Sequence, residues 1–184
     1  QYDDVCVVPK PLQQPHPPIS IPAMSRNSPS MQMAGAAGFQ LFGHCLVTGN
    51  VLKNFWDTYE TAAVEAGRTP SRADFKIARS IFLADTTAEA ERLARTNSLG
   101  HNYEYIGRLF DKGLGRKIYK RDLEMPDSEC NLDFLMTEQI IAGDVDTVLE
   151  RLLGVWEETG GFGTLVLMSY DWDDKASWVR SMEL

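Results

Sequence analysis

The sequence predicts an α/β fold built on a parallel sheet, and three observations carry that prediction. Apolar runs of strand length alternate with segments whose apolar residues recur three and four apart. The run Thr164–Met168 is apolar at successive positions, as in a strand covered on both faces. Glycine, proline and capping residues stand at the junctions between the two kinds of segment. Regular alternation of this kind implies parallel strands joined by right-handed crossovers. Four strand–helix units amount to half of an eight-stranded barrel, which typically needs about 250 residues. A doubly wound open sheet is the competing arrangement.

Composition narrows the function. The 184 residues are 43% hydrophobic and 24% charged, which suits one globular domain. A net charge of -8 argues against a nucleic-acid surface. No apolar run reaches bilayer length and no leader pattern opens the chain, so no membrane partner is expected. Cys6, Cys45 and Cys130 are odd in number and far apart, and the histidines are equally scattered. That pattern predicts neither a disulfide framework nor a metal site, and it fits a reducing cytoplasm. Both ends read as cuts in a longer protein: Gln1 lies within a loop-like stretch, and Lys175–Leu184 is a helical pattern without a terminator.

In order along the chain, residues 1–18 hold Pro9, Pro11, Pro15, Pro17 and Pro18 and form an extended lead-in. Ile19–Met24 is the first strand. Ser25–Ser28 is a polar elbow, and Pro29 opens a helix that Gly38 closes. Phe39–Leu46 is the second strand. Thr48-Gly49-Asn50 starts a helix to Ala66 whose inward set is Val51, Leu52, Phe55, Trp56, Tyr59, Ala62 and Ala63. Phe75–Ala84 is the third strand. Arg79 shares the parity of its core residues, so either it is paired inside the barrel mouth or the parity is wrong, and pairing is the favoured reading. Thr86 and Glu89 form a capping box for a helix through at least Arg95. His101–Phe110 suits a further helix, and 101–131 as a whole reads as an insertion or loop, with 111–131 a candidate lid. Phe134–Ala142 is helical to Gly143. Asp144 caps a helix with Val148, Leu149, Leu152, Leu153 and Trp156 inward, ending at Gly160-Gly161. Thr164–Met168 is the last strand, Ser169–Asp174 a polar turn, and a final helix follows.

The stretch Ile19–Phe39 carries the chemistry. A helix that starts at a strand's end presents free amides and a partial positive charge. Here Ser25, Ser28 and Ser30 add hydroxyls, Asn27 an amide and Arg26 a full charge. These five residues are the candidate phosphate site. The plain alternative is that Ser28 merely caps the helix. His44, on the second strand, suits either an acid/base role or a satisfied wall position. Ser169 and Tyr170 lie at the last strand's end, where they either touch ligand or finish the strand. Met31, Met33 and Trp156 read as core.

The chain resembles the bacterial luciferase-like flavin-dependent monooxygenases. The residues that carry the likeness are Pro9–Ile19 before the first strand, Ser28-Pro-Ser30 with Ala36-Ala37-Gly38, and Thr86-Thr-Ala-Glu-Ala90. Gly143-Asp-Val-Asp-Thr-Val148 also fits, although Asp144 and Val145 depart from the family's usual pair. Gly161–Trp172 looks like the last strand of the limonene monooxygenase-like branch. The resemblance implies that residues 1–184 form one domain, the C-terminal half of a TIM (β/α)8 barrel, strands five to eight. It implies a monooxygenase that uses reduced FMN from a separate flavin reductase, and O2, to oxidise a small organic substrate. It places the phosphate at Asn27, Ser28 and Ser30. Catalytic residues are expected upstream of Gln1, and a homodimer is expected because a half-barrel leaves open sheet edges. A deazaflavin-dependent reductase on the same barrel and a non-catalytic flavin-binding half-barrel are the alternative functions.

Overall fold

A computed structural model describes residues 6, 8–113 and 115–184. The start of the lead-in, residues 1–5 and 7, and Leu114 within the 111–131 stretch lie outside the described residues. The sheet has five parallel strands. They are β1 (Ser20–Ala23), β2 (Gln40–Gly43), β3 (Lys76–Leu83), β4 (Ile140–Gly143) and β5 (Thr164–Leu167). β1 pairs with β2 from Ser20↔Gln40, and β2 pairs with β3 at Phe42↔Lys76 and Gly43↔Ile77. β3 carries two further partners along its length: β5 beside Lys76–Arg79 and β4 beside Ser80–Leu83.

Each crossover has a local cause. α1 (Pro29–Ala37) starts where Ser28 accepts the Ser30 amide and ends at Gly38, whose φ is 76°. α2 (Gly49–Glu65) buries Val51, Leu52, Phe55, Trp56, Tyr59 and Ala63, the predicted stripe but for half-buried Ala62. α3 (Thr87–Thr96) is capped by the Thr86 hydroxyl on the Glu89 amide. Asn97 then leaves helical backbone and caps α4 (Ser98–Phe110) through Leu99, so two helices stand where one continuous run was conceivable. α5 (Leu132–Glu138), α6 (Val145–Thr159) and α7 (Lys175–Glu183) complete the set.

β3 is covered on both faces. Phe75 and Ile77 pack with α1 and α2 in a core of Met31, Leu41, Phe55 and Trp56. Ala78 and Phe82, of the other parity, join a second core with Leu99, Tyr103, Tyr119 and Trp178 from α4, α7 and the 111–131 stretch. Full burial of each large side chain contributes about 1.5–3 kcal/mol.

Two expectations are corrected. The run Phe134–Ala142 is not one helix: α5 stops at Glu138, and Ile140–Gly143 becomes β4. Pairing to β3 and burial of all four residues outweigh the run's helical propensity. On α6 only Val148 of the predicted inward set is buried; Leu149, Leu153 and Trp156 are 55%, 53% and 49% exposed, and Met33 on α1 is also exposed. The face that α6 turns inward runs through Val148, Leu152 and Val155, so the expected set is only partly right, and nothing in the described chain covers Leu149, Leu153 and Trp156.

The tightest helix contact is between α1 and α2 at Gly35, where a Cβ would lie 2.2 Å from the Tyr59 carbonyl oxygen and 3.0 Å from the Ala63 nitrogen. Backbone atoms cannot step aside, so Gly35→Val is expected to lower stability by about 1–3 kcal/mol in urea denaturation. A midpoint within error of the parent would mean that the two helices do not meet there.

Candidate functional site

Ligands of parallel sheets bind beyond the strands' carboxyl ends. At that edge three cavities adjoin, and Met24 lies in the wall of each. The first, about 220 Å³, is bordered by Ser25, Arg26 and Lys117. The second, about 260 Å³, is bordered by Ser25, Lys117, Ile118 and Phe110. The third, about 340 Å³, lies under α4 and is bordered by His44, Cys45, Ile106, Phe110 and Tyr170. The groove therefore grades from cationic and hydroxyl-bearing at the elbow to apolar under α4. Among the described residues no carboxylate lines any of the three.

The structure divides the five elbow residues. Ser25 and Arg26 reach this groove. Asn27, in left-handed backbone at φ 51°, turns the other way. Its amide N–H donates to Asn54 Oδ1 at 2.8 Å, and its Oδ1 accepts from Asn54 Nδ2 at 3.0 Å. It borders a separate cavity shared with Asp57 and Glu65, whose carboxylates oppose an anion. Ser28 is buried; its Oγ accepts the Ser30 amide at 3.3 Å and lies 3.2 Å from the Ser30 hydroxyl. The Met31 amide donates to the Ser28 carbonyl at 2.9 Å. The amides of Ser30 and Met31 are thus satisfied within the helix start rather than free.

Arg26 also has a structural task. Its Nη2 donates to the carbonyls of Lys120 and Arg121, at 3.3 and 2.6 Å, and so ties the elbow to the 111–131 stretch. That stretch is pinned at many points. Arg116 grips Asp111 through two bonds of 2.8 Å and the Cys130 carbonyl at 2.6 Å. Lys120 pairs with Asp127 at 2.6 Å, and Arg121 reaches both Glu138 and Glu158. Gln139 Nε2 donates to the Tyr119 carbonyl at 3.0 Å. The pinning delivers Lys117, exposed, to the groove beside Ser25. Sequence reading missed Lys117; the basic string Arg116-Lys117…Lys120-Arg121 was its only signal, and a loop has no periodicity to say which way each cation points.

Beneath the apolar end runs a chain of hydroxyls. Tyr170 OH lies 2.5 Å from Ser80 Oγ, Ser80 Oγ lies 3.0 Å from Tyr103 OH, and Tyr103 donates to the Cys45 carbonyl at 3.3 Å. The last acceptor has no proton to give, so the order is fixed as Tyr170 to Ser80 to Tyr103 to Cys45. Burial pushes the Tyr103 phenol well up and that of Tyr170 up to about 12, so both stay protonated. Tyr170 thus lines the cavity with its ring while its hydroxyl is spent below. Ser169 faces a different, apolar cavity with Leu165 and Trp178.

His44 sits at the end of β2, where its Nδ1 accepts the Leu46 amide at 3.1 Å and lies 3.6 Å from Cys45 Sγ. Burial lowers the imidazole pKa and raises that of the Cys45 thiol, so both are neutral near pH 7. Among the described residues Arg79 finds backbone carbonyls as its buried partners rather than a counter-charge. It is fully buried and donates only to the Val47 and Ala78 carbonyls, at 3.3 and 3.2 Å, leaving Nε and Nη2 without acceptors. Desolvation accordingly lowers its pKa. Among the described residues no cluster of metal-ligating side chains occurs, and no helix is long and apolar enough to cross a membrane.

Fold and groove together define a parallel α/β protein with a small-molecule cleft at the strands' carboxyl ends. The chain belongs to the luciferase-like monooxygenase family, which it matches over residues 1–162. It is 35% identical over 171 residues to 3,6-diketocamphane 1,6-monooxygenase of Pseudomonas putida, covering 91% of this chain and 45% of the relative. It is 29% identical over 163 residues to 2,5-diketocamphane 1,2-monooxygenase 1 of the same organism, covering 83% and 43%. A solved structure, the oxygenating constituent of the Pseudomonas putida 3,6-diketocamphane monooxygenase in complex with FMN, superposes at a TM-score of 0.81 with 34% identity, covering 91% of this chain and 47% of that one. It is described as a type II Baeyer-Villiger monooxygenase. The chain spans less than half the length of these relatives.

Removing one member of the hydroxyl chain tests its role. Tyr103→Phe leaves Ser80 and the Cys45 carbonyl short of a partner, at a cost of about 1–3 kcal/mol. The change should appear as a lower denaturation midpoint with the secondary-structure spectrum kept. An unchanged midpoint would show that water serves these groups as well.

Proposed function

We propose that this chain is part of a flavin-dependent monooxygenase, with its groove holding FMN phosphate-first. The carrying observation is the grading of the groove: Ser25, Arg26 and Lys117 at one end, an apolar pocket under α4 at the other, and no carboxylate between them among the described residues. A phosphate suits the first end and a flat ring system the second. The relative crystallised with FMN supports the choice of cofactor.

In this reading Ser25 and Lys117 contact the phosphate, and Arg26 contributes its charge from the position where it clamps Lys120 and Arg121. Ser28 and Asn27 shape the elbow, and Ser30 offers its hydroxyl at the helix start. Bound reduced FMN supplies the oxygen-activating chemistry when O2 arrives. The chain's own groups orient the cofactor's tail, and the apolar walls under α4 exclude water from its ring. The substrate is a small organic molecule, and the diketocamphane relatives point to a cyclic ketone.

The same proposal assigns β1, β2, β3 and β5 to strands five to eight of a TIM barrel, with β4 an added strand alongside β3. The pairing order and the relatives' greater length support it. The 184 residues then act as one domain whose 101–131 segment roofs the groove. A cytoplasmic setting, a separate reductase and a homodimer complete the proposal.

Binding of FMN and riboflavin, which differ by the phosphate, tests the reading. Ser25→Ala with Lys117→Ala is expected to weaken FMN binding at least about tenfold and to leave riboflavin within about twofold, since charge-assisted bonds to phosphate are worth ~1.5–3 kcal/mol before solvent screening. Equal losses for both ligands would place the phosphate elsewhere. Ser28→Ala should instead cost about 1 kcal/mol of stability as a lost cap.

A further inference from the structure

We infer that the cavity under α4 binds a neutral, apolar ring system through its carbonyl oxygen, and that the hydrogen-bond donor is the Nε2–H of His44. This deepens the reading of the groove as a flavin-and-substrate cleft, on which it rests.

The cavity, about 340 Å³, has walls from Met24, Leu46, Ile106, Leu109 and Phe110. Its polar groups are few and most are committed. The Tyr170 hydroxyl donates to Ser80, and the Cys45 carbonyl accepts from Tyr103. The Cys45 thiol is buried and neutral. His44 and Asn102 remain, and of the two only His44 is held in one orientation, by the Leu46 amide.

The tautomer of His44 follows from its neighbour. An N–H of the backbone at Leu46 points at Nδ1, 3.1 Å away, so Nδ1 must present its lone pair. A neutral imidazole then carries its proton on Nε2, and burial keeps it neutral. Nε2 has no acceptor within the described chain, and it is not among the buried orphaned atoms. Since His44 borders this cavity, Nε2 is assigned to it. No lysine or arginine lines that cavity, so an anionic ligand would enter uncompensated. A carbonyl oxygen on an apolar body satisfies the donor and the walls together.

Two molecules of the proposed reaction carry such an oxygen, the organic substrate and the flavin ring. Camphor and lumiflavin represent them, and camphane, a bicycle of camphor's shape without the carbonyl, is the control. In the imidazole 15N spectrum of this chain, His44 should show its proton on Nε2. Camphor should shift that signal if the oxygen is the substrate's, and lumiflavin should do so if it is the flavin's; camphane should bind and leave the signal in place. His44→Asn, which keeps a short-range acceptor for Leu46 but loses the reach of Nε2, should weaken the responding ligand about three- to tenfold and leave camphane unchanged. His44→Gln, whose amide reaches further, should recover part of the loss.

A proton on Nδ1, equal affinity in the Asn variant, or no binding by any of the three probes overturns the inference. The phosphate test at Ser25 and Lys117 is separate. A camphor response without FMN binding would leave this cavity standing and remove the flavin reading.

Discussion

The structure depends on what β3 must satisfy. Eight residues long, it shares its edges with three other strands, and it is buried on both faces. Each backbone group of such a strand needs a partner, because none can turn to water. β5 serves the first half and β4 the second, and past the end of the β5 pairing the Leu83 amide donates to the Ser181 hydroxyl of α7 at 2.8 Å. The parity of β3 then sorts the chain into two cores. One side takes α1 and α2, and the other takes α3, α4 and α7. Because every strand is parallel, all carboxyl ends fall on one edge, and the helices from 87 to 138 pack over that edge. The groove is the space left between them.

What fills the groove's walls is decided by which polar groups are already spent. The elbow holds many donors, yet most are consumed by its own geometry: Ser28 by the helix start, Asn27 by Asn54, and one nitrogen of Arg26 by two carbonyls. A count of donors in the sequence therefore overstates the charge available to a ligand. The remaining cation, Lys117, comes from a segment distant in sequence, and the Arg26 clamp is one of the contacts that hold that segment in place. Shape and charge at the cationic end are thus one device, and loss of Arg26 would disturb both.

The strand–helix order was legible from periodicity and punctuation because those signals are local. Gly38 and Gly160 closed their helices in left-handed backbone, and Thr86 and Asp144 opened theirs, as the sequence indicated. The departures share a cause: each depended on a distant partner. Residues 134–142 carry no internal break, and only the ladder to β3 and the burial of Gln139 against Tyr119 turn the second half into a strand. Arg79 was read as needing a buried partner, and among the described residues it has two carbonyls, leaving two donors unmet. Leu149, Leu153 and Trp156 form a true helical stripe, but a stripe says which residues share a face and not what lies against it. The candidate site followed the same rule. Ser25 and Arg26 were within reach of sequence argument because they flank a cap, whereas Lys117 and the roof formed by α4 were not.

The apolar end of the groove shows why spending donors matters for selection. A cavity rich in free hydroxyls discriminates weakly, since water or any polar group satisfies it. Here the chain from Tyr170 to the Cys45 carbonyl closes upon itself and withdraws three hydroxyls from the ligand's side. The same carbonyl anchor holds the backbone from which His44 projects, and the Leu46 amide fixes the side of the ring that faces inward. His44 and Asn102 thus stand as the uncommitted polar side chains of a largely apolar enclosure, and only His44 has its donor fixed in place. A ligand without an acceptor leaves that donor unpaired, and it therefore binds more weakly than one of the same shape that supplies a carbonyl oxygen. Selectivity then comes from a buried hydroxyl relay that never touches the ligand, because the relay leaves His44 as a fixed N–H donor facing it.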